Sequence, residues 1–534
     1  MYGWKTESGE RCSGPLTHKL LCAASAGLAV LSLAAFAPTE PGSVKTQPVV
    51  QPSQEVHTKP NILWLVVEDT SPWMAPWGDS LVSTPTLDKM SREGVTFLQA
   101  YAPNPICSPS RSALMTGKYP VTDGVHNHRA SRDPAGRDAV KLPAGQLTLP
   151  ELFRQAGYKT FNIGKDDYNF VYNRRALYSE GPDGVMAHLG ELKGPDFDWA
   201  ELAKGGPFFG QIQLEGGKNR VEARDRVDPL LVTVPPYYPD TPEVRRLIAL
   251  HYGTIRVLDR QVAEILDKLD ATGEADNTAV FVISDHGMQM LRHKQFLYDG
   301  GLHVPVFVRY PKGSGNIRSN GSNRSDLVSL IDLSATALGL ANIPVPDYFE
   351  GQNLFAPEYR PKHAIFASRD LADYTFDRIR LIRTDRYAYL RNYYTDRPLM
   401  QPQYRDHWPM MRQMKELYAA GKLAPAQARL FAPTRPREEL YDTATDPHQI
   451  RNLADDPRYA SIKAELSTQL DRRLQGNGDK AATPLSDREI LAILAAWQEK
   501  CVDPECLRVV RKYGMPPATA VTRSFNPGQS ETSK

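Results

Sequence analysis

The chain is poor in cysteine. Five occur in 534 residues, at Cys12, Cys22, Cys107, Cys501 and Cys506, too few for a fold stapled by disulfides. It lacks any long run of one charge, and its formal net charge is only +2. A dedicated nucleic-acid binder would carry a basic stripe, so that class is set aside. No internal repeat is present, which argues against a repeat architecture. Only one apolar run approaches the length of a membrane span, Leu20 to Ala37. What is there is 24% charged and 41% apolar, the balance of a soluble globular protein with enough chain for two domains.

The N-terminal run follows Lys19 and ends in Ala35-Phe36-Ala37, a small-x-small cleavage pattern. Its length is borderline for a bilayer. Its Ala, Ser and Gly content favours a cleaved export signal over an anchor. Cys22 has no small residue immediately before it, which argues against lipid attachment. The expected organisation is a signal peptide at 1–37, a Pro-rich linker at 38–58, a catalytic domain at 59–345, a smaller domain at 346–516 and a disordered tail at 517–534. The protein is expected to be exported, periplasmic or secreted, with no stable membrane insertion after cleavage. In an oxidising compartment Cys501 and Cys506 could pair, leaving Cys107 alone.

Strands and helices alternate along the first domain. "NILWLVVEDT" and "TAVFVISDHG" are continuous apolar runs that end in charge, the pattern of buried parallel strands. "TPTLDKMSREGV" and the long "EVRRLIALHYGTIRVLDRQVAEILDKLDATG" read as helices stopped by Gly. "KTFNIG" and "VPVFVRYP" read as further strands, and "DLVSLIDLSATALGLANIPVPDY" as a helix with a Pro-rich exit. The fold class is therefore α/β, with a large, mostly parallel sheet flanked by helices. "AIFASRD", "RIRLIRT" and "YAYLRNY" alternate instead, and predict a smaller C-terminal antiparallel α+β domain.

Sites in such sheets lie beyond the carboxyl ends of the strands. Glu68-Asp69 and Asp285-His286 both fall there. If their strands are neighbours, three carboxylates and an imidazole converge, and a divalent cation would offset the charge. Carboxylates suit calcium, the first expectation, or magnesium; the imidazole leaves manganese or zinc open. The competing reading is that each pair caps a helix or sits in a solvated turn.

"NPICSPSRSALMTGKYP" sets Cys107 in polar, turn-prone surroundings, unlike a structural cysteine. Cys107-Ser108-Pro109-Ser110-Arg111, with Thr116-Gly117, resembles the signature of the sulfatases, which share an alkaline-phosphatase-like fold. The resemblance runs from about Lys59 to Pro457. "EDTSP", "GKDDYNF" and "LYDGGLHVPVFVRYP" are similar to the branch of heparan N-sulfatase and bacterial polysaccharide sulfatases.

Several expectations follow from the resemblance. A maturation enzyme oxidises Cys107 to formylglycine. Glu68, Asp69, Asp285, His286 and the residue at 107 ligate the cation. Arg111 orients the formylglycine, and Lys165 and Lys294 hold sulfate. Two departures stand out. Asp167 occupies a place where many relatives have histidine. Glu215, Gly216, Gly217 and Lys218 occupy a region that usually carries another. His126 is the candidate acid, since an imidazole is suited in pKa to protonating a leaving alkoxide. His128, Arg129, Arg369 and Asp370 are candidate sugar contacts, with Arg378 nearby. The implied substrate is a sulfated carbohydrate. The alternatives are a phosphodiesterase or phosphonate monoester hydrolase of the same superfamily, or a non-catalytic sulfoglycan-binding protein.

Overall fold

Seven strands form the central sheet: β1 (Asn61–Val67), β2 (Val95–Tyr101), β3 (Lys159–Ile163), β4 (Phe208–Leu214), β5 (Thr278–Ser284), β6 (Val306–Arg309) and β7 (Ser322–Ser329). Their order is β3-β4-β1-β5-β6-β2-β7. Only β6 runs against its neighbours; the other pairings are parallel. Every residue of β1, β4 and β5 is buried. Both faces are covered, which is why these runs do not alternate. This is a computed structural model, and it describes residues 59–128, 140–179, 206–311, 321–373, 375–476, 478–479, 483–491 and 504–513. The expected signal peptide, linker and tail, together with Arg129 and Cys501, lie outside the described residues. So does the side chain of Cys506. Among described residues no helix is long and apolar enough to cross a membrane.

Helices Pro85–Glu93, Leu149–Gln155, Pro242–Ala271 and Ile331–Leu340 follow from local sequence. Thr241 caps the longest by accepting from the Val244 amide at 3.3 Å, with Pro242 at the first helical position. Asp326 to Ser329 departs from expectation. This stretch is not helical; it completes β7, and the helix starts at Ile331. The β2 edge offers a parallel partner there. The alternation of half-buried and exposed residues early in β7 is that of an edge strand.

A second sheet holds β8 (Ile365–Arg369), β9 (Ile379–Arg383), β10 (Tyr387–Asn392) and β11 (Glu438–Asp442), in the order β11-β10-β9-β8. All its pairings are antiparallel. Leu466 and Leu470 of helix Ala460–Gly476 pack against its Phe366, Ile382, Tyr389 and Leu440. Both sheets belong to one compact unit, His57–Lys534.

Register positions the chemistry. Val67 of β1 pairs with Ser284 of β5, so the residues that follow emerge side by side. Helix Cys107–Thr116 starts at this edge and is buried along its whole length. It ends at Gly117, with φ +66° and space so tight that a Cβ would sit 2.3 Å from the Phe349 ring. Gly117→Ala should therefore cost about 2 kcal/mol of stability, through left-handed strain and overpacking. Thermal unfolding checks this, and an unchanged midpoint would contradict it.

Candidate active site

Cys107 is the first residue of its helix, where backbone amides and the helix dipole favour negative charge. Its Sγ lies 3.2 Å from His286 Nε2 and 3.5 Å from Glu68 Oε1, and accepts from Lys294 Nζ at 3.3 Å. Burial alone would raise the thiol pKa, but Lys165, Lys294 and His286 outweigh it and lower it. A cysteine in an apolar core would behave in the opposite way.

Both charged strand ends surround this atom. His286 Nε2 is 3.4 Å from Asp69 Oδ1 and 3.6 Å from Asp285 Oδ1. The Asp69 amide donates to Asp285 Oδ1 at 3.4 Å. Asp69 itself has φ +56°, an uncommon conformation for a non-glycine residue, of the kind that clusters at functional sites. Burial raises the Asp69 carboxyl, but Lys294, Lys218 and His286 bring it down to about 2. Glu68 is likewise pushed up by burial and then held well below the carboxylate range by Lys165, Lys218, Arg111 and Lys294.

Ligand atoms of Asp69, Cys107 and His286 all fall within 4.8 Å of one another, as do those of Glu68, Cys107 and Asp285. Asp69 Oδ2 is buried and has no hydrogen-bond partner among the described residues, an expensive state for an ionised oxygen. An oxygen-rich donor set with one imidazole and an unsatisfied carboxylate oxygen fits a hard divalent cation.

Four cations ring the carboxylates. Arg111 Nε donates to Asp285 Oδ2 at 2.9 Å, and its Nη1 donates to Gln213 Oε1. Lys165 bonds Glu68 Oε1 and lies 3.0 Å from Asp167 Oδ2. Lys294 Nζ donates to Asp69 Oδ1 at 2.8 Å. Lys218 Nζ lies 3.0 Å from Glu68 Oε2 and 3.8 Å from Asp69 Oδ2. Lys218 and Gln213 were not read as site residues from sequence. The signals for Lys218 are the Gly216-Gly217 pair before it and its place in a region where the resemblance implies a histidine.

A third residue missed in the sequence is Arg405. Its buried guanidinium donates to the carbonyls of Gln289, Met290 and Lys294 at 2.6, 3.0 and 3.0 Å, and to Gln295 Oε1 at 2.7 Å. It thereby holds the turn that presents Lys294, whose Arg292 and Gln295 have φ +65° and +76°.

The described candidate sugar contacts make pairings of their own. His128 Nδ1 is 2.9 Å from Asp373 Oδ1, and Gln295 donates to the other oxygen of Asp373. His126 and Asp370 line a common cavity of about 170 Å³ with Phe376, Arg378, Tyr394 and Arg508. Arg369 is buried, paired with Asp377 at 3.3 Å and stacked 5.0 Å from the Phe296 ring centre. Asp370 pairs with Arg380 at 3.0 Å. Burial nonetheless raises its carboxyl to about 7 against the pull of that arginine.

The Sulfatase family model matches residues 60–196 and 204–343. An ulvan-active sulfatase of Formosa agariphila is 32% identical over 467 residues, covering 80% of this chain and 77% of the relative. The chain belongs to the sulfatase family. It is accordingly a sulfuric ester hydrolase. The human N-sulphoglucosamine sulphohydrolase is 28% identical to this sulfatase, over 77% of this chain and 89% of its own. Solved structures share the fold at lower identity. A 2-O GAG sulfatase superposes with TM-score 0.56 at 20% identity, covering 81% of this chain and 96% of its own. A phosphonate monoester hydrolase from Silicibacter pomeroyi gives 0.56 at 18%, covering 79% and 97%.

Proposed function

We propose that this sulfatase is exported and removes sulfate from a sulfated carbohydrate, with formylglycine at position 107 as nucleophile. The observation that carries the reading is the setting of Cys107, at a helix start between two carboxylate-bearing strand ends and within reach of Lys294 and His286. The names of its relatives, an ulvan-active sulfatase and an N-sulphoglucosamine sulphohydrolase, support a carbohydrate substrate.

Hydrated formylglycine would supply two hydroxyls on one carbon, one to attack sulfur and one to lose a proton and expel sulfate. The Cys107 sulfur stands in for the attacking oxygen. Glu68, Asp69, Asp285 and His286, with residue 107, would hold a divalent cation, calcium by first choice. When bound, it would polarise the sulfate and lower the hydroxyl pKa.

The chain's own groups do the rest. Arg111, fixed by Asp285 and Gln213, orients residue 107. Lys165 and Lys294 stabilise charge that builds on sulfate oxygens. His126 donates the proton to the departing alkoxide. His126→Ala should therefore lower turnover of an alkyl sulfate about a hundredfold, and of an aryl sulfate only severalfold, since an aryl oxide leaves without help. Equal losses on both substrates would remove His126 from the acid role.

The reading as a whole is tested by sulfate release from defined sulfated saccharides, using protein matured in a host that makes formylglycine. Parallel kinetics on an aryl sulfate and an aryl phosphodiester separate it from a phosphonate monoester hydrolase. Preference for the phosphodiester would overturn it, as would matured protein that binds saccharide without desulfating it.

A further inference from the structure

The cavity beside His126 has a wall of separate origin. Arg378, Tyr394, Thr483 and Arg508 line it, and all lie beyond residue 343, where the match to the family model ends.

Two kinds of contact seat that wall. Ser486 and Glu489 form a reciprocal cap, in which Ser486 Oγ accepts from the Glu489 amide at 3.3 Å and Glu489 Oε2 accepts from the Ser486 amide at 2.7 Å. Ile490 behind this cap packs with Val509 and Val510 of helix Pro504–Lys512 against Leu371 and Phe376. Asp479 accepts two bonds from the fully buried Arg380, at 2.8 and 3.1 Å. Arg508 stands next to the buried Val509, and its own side chain is 53% exposed. It therefore sits at the open rim of the cavity.

Charge gives this wall a consequence. The carboxylates of the lining are already engaged. Asp377 lies 3.3 Å from Arg369 and accepts from Arg435 at 2.9 Å. Asp370 pairs with Arg380, and burial raises its carboxyl to about 7, so it is only partly ionised at neutral pH. Arg508 donates to Asp487 at 2.6 Å, but Lys512 takes the other oxygen of that carboxylate at 2.5 Å. The guanidinium carbon of Arg378 lies 4.2 Å from the centre of the Tyr393 ring, which supports it from one face. Around the lining, Arg369, Arg378, Arg380, Arg435, Arg508 and Lys512 outnumber Asp370, Asp377, Asp479 and Asp487. An anion would offset the excess, and a guanidinium suits a carboxylate or a sulfate equally. His126 belongs to the same lining. As the proton donor to the departing alkoxide, it puts this cavity on the saccharide side of the bond that breaks.

We propose that Arg378 and Arg508 bind a second anionic substituent, a carboxylate or a further sulfate, on the saccharide whose sulfate ester is cleaved. The assignment rests on the sulfatase reading, and it adds a substrate class, a polyanionic saccharide.

Two pairs of defined disaccharide sulfates test it. One sets a uronosyl carboxylate against its carboxyl-reduced counterpart, and the other sets a disulfated sugar against the monosulfated one. Matured parent protein should favour the anionic member of at least one pair about tenfold in kcat/KM, chiefly through KM, the size expected for one charge-assisted hydrogen bond. The pair that shows the preference names the anion. Arg508→Gln, at an exposed side chain that the fold does not depend on, should reduce the preference to about twofold. Arg508→Lys should recover part of it. Calorimetry of the same saccharides with Cys107→Ala protein reads binding apart from turnover, and the affinity difference there should shrink on adding Arg508→Gln. A parent protein indifferent to both pairs would overturn the assignment, as would Arg508→Gln protein that keeps the parent's preference. Matured parent protein that hydrolyses no sulfate ester would instead sink the sulfatase reading, while calorimetry would still report the subsite.

Discussion

Cys107→Ala should fold and show no turnover, a loss of about ten-thousandfold or more, since it removes the atom that bonds to sulfur. Cys107→Ser should be equally inactive in a host that matures only cysteine. A single hydroxyl can take up sulfate but has no second hydroxyl whose proton loss expels it. The chemical check is direct. From a competent host, the tryptic peptide Glu93 to Arg111 should carry an aldehyde at position 107, trapped by a hydrazide and read by mass spectrometry. Full activity with an intact thiol would refute the mechanism. The thiol sits beside His286, Glu68 and Lys294, so an altered group at this position acts on the whole cluster.

The next largest effect is expected at Asp285. Asp285→Asn keeps the shape of the side chain and removes its charge. Turnover should fall about a thousandfold, and affinity for the divalent cation about a hundredfold, as for loss of a metal-holding carboxylate. Asp285→Ala should do more. Asp285 is completely buried and bonds the buried Arg111. Removing it strands that guanidinium, at a cost of about 3–5 kcal/mol. Thermal unfolding separates the two variants, and calorimetry with the metal reports the site without relying on activity. Wild-type cation affinity in Asp285→Asn would exclude Asp285 from the ligand set.

Much of this arrangement is legible in the chain. β1 and β5 announce themselves as apolar runs ending in Glu68-Asp69 and Asp285-His286, because a strand buried on both faces has no solvated side to encode. Their adjacency is not legible, since pairing depends on β4, β6 and the helices that fill the remaining positions. The start of β7 misleads for a related reason. Asp326 to Ser329 runs straight into a true helix, and only the open edge of β2 recruits it as a strand. The cysteine motif is local and can be read directly. Lys218 and Arg405 cannot. Each reaches the site from far along the chain, and nothing in "GGK" or "YRDH" says what lies opposite. Gly216 is the nearest thing to a clue, since a left-handed glycine often marks close backbone approach.

The burial of Cys107 also has a consequence in time. The residue is 3% exposed and the helix it begins has no solvent-facing residue. Once that helix docks, no second enzyme can reach the thiol. If residue 107 is converted to formylglycine as proposed, that oxidation would have to win a race against folding, while the segment from Asn104 to Pro120 is still an extended strand of polypeptide. A molecule that folds first is locked out for as long as it stays folded. On that proposal the fraction of active protein in any preparation would record how the race was run during synthesis, and no later treatment that spares the fold would change it.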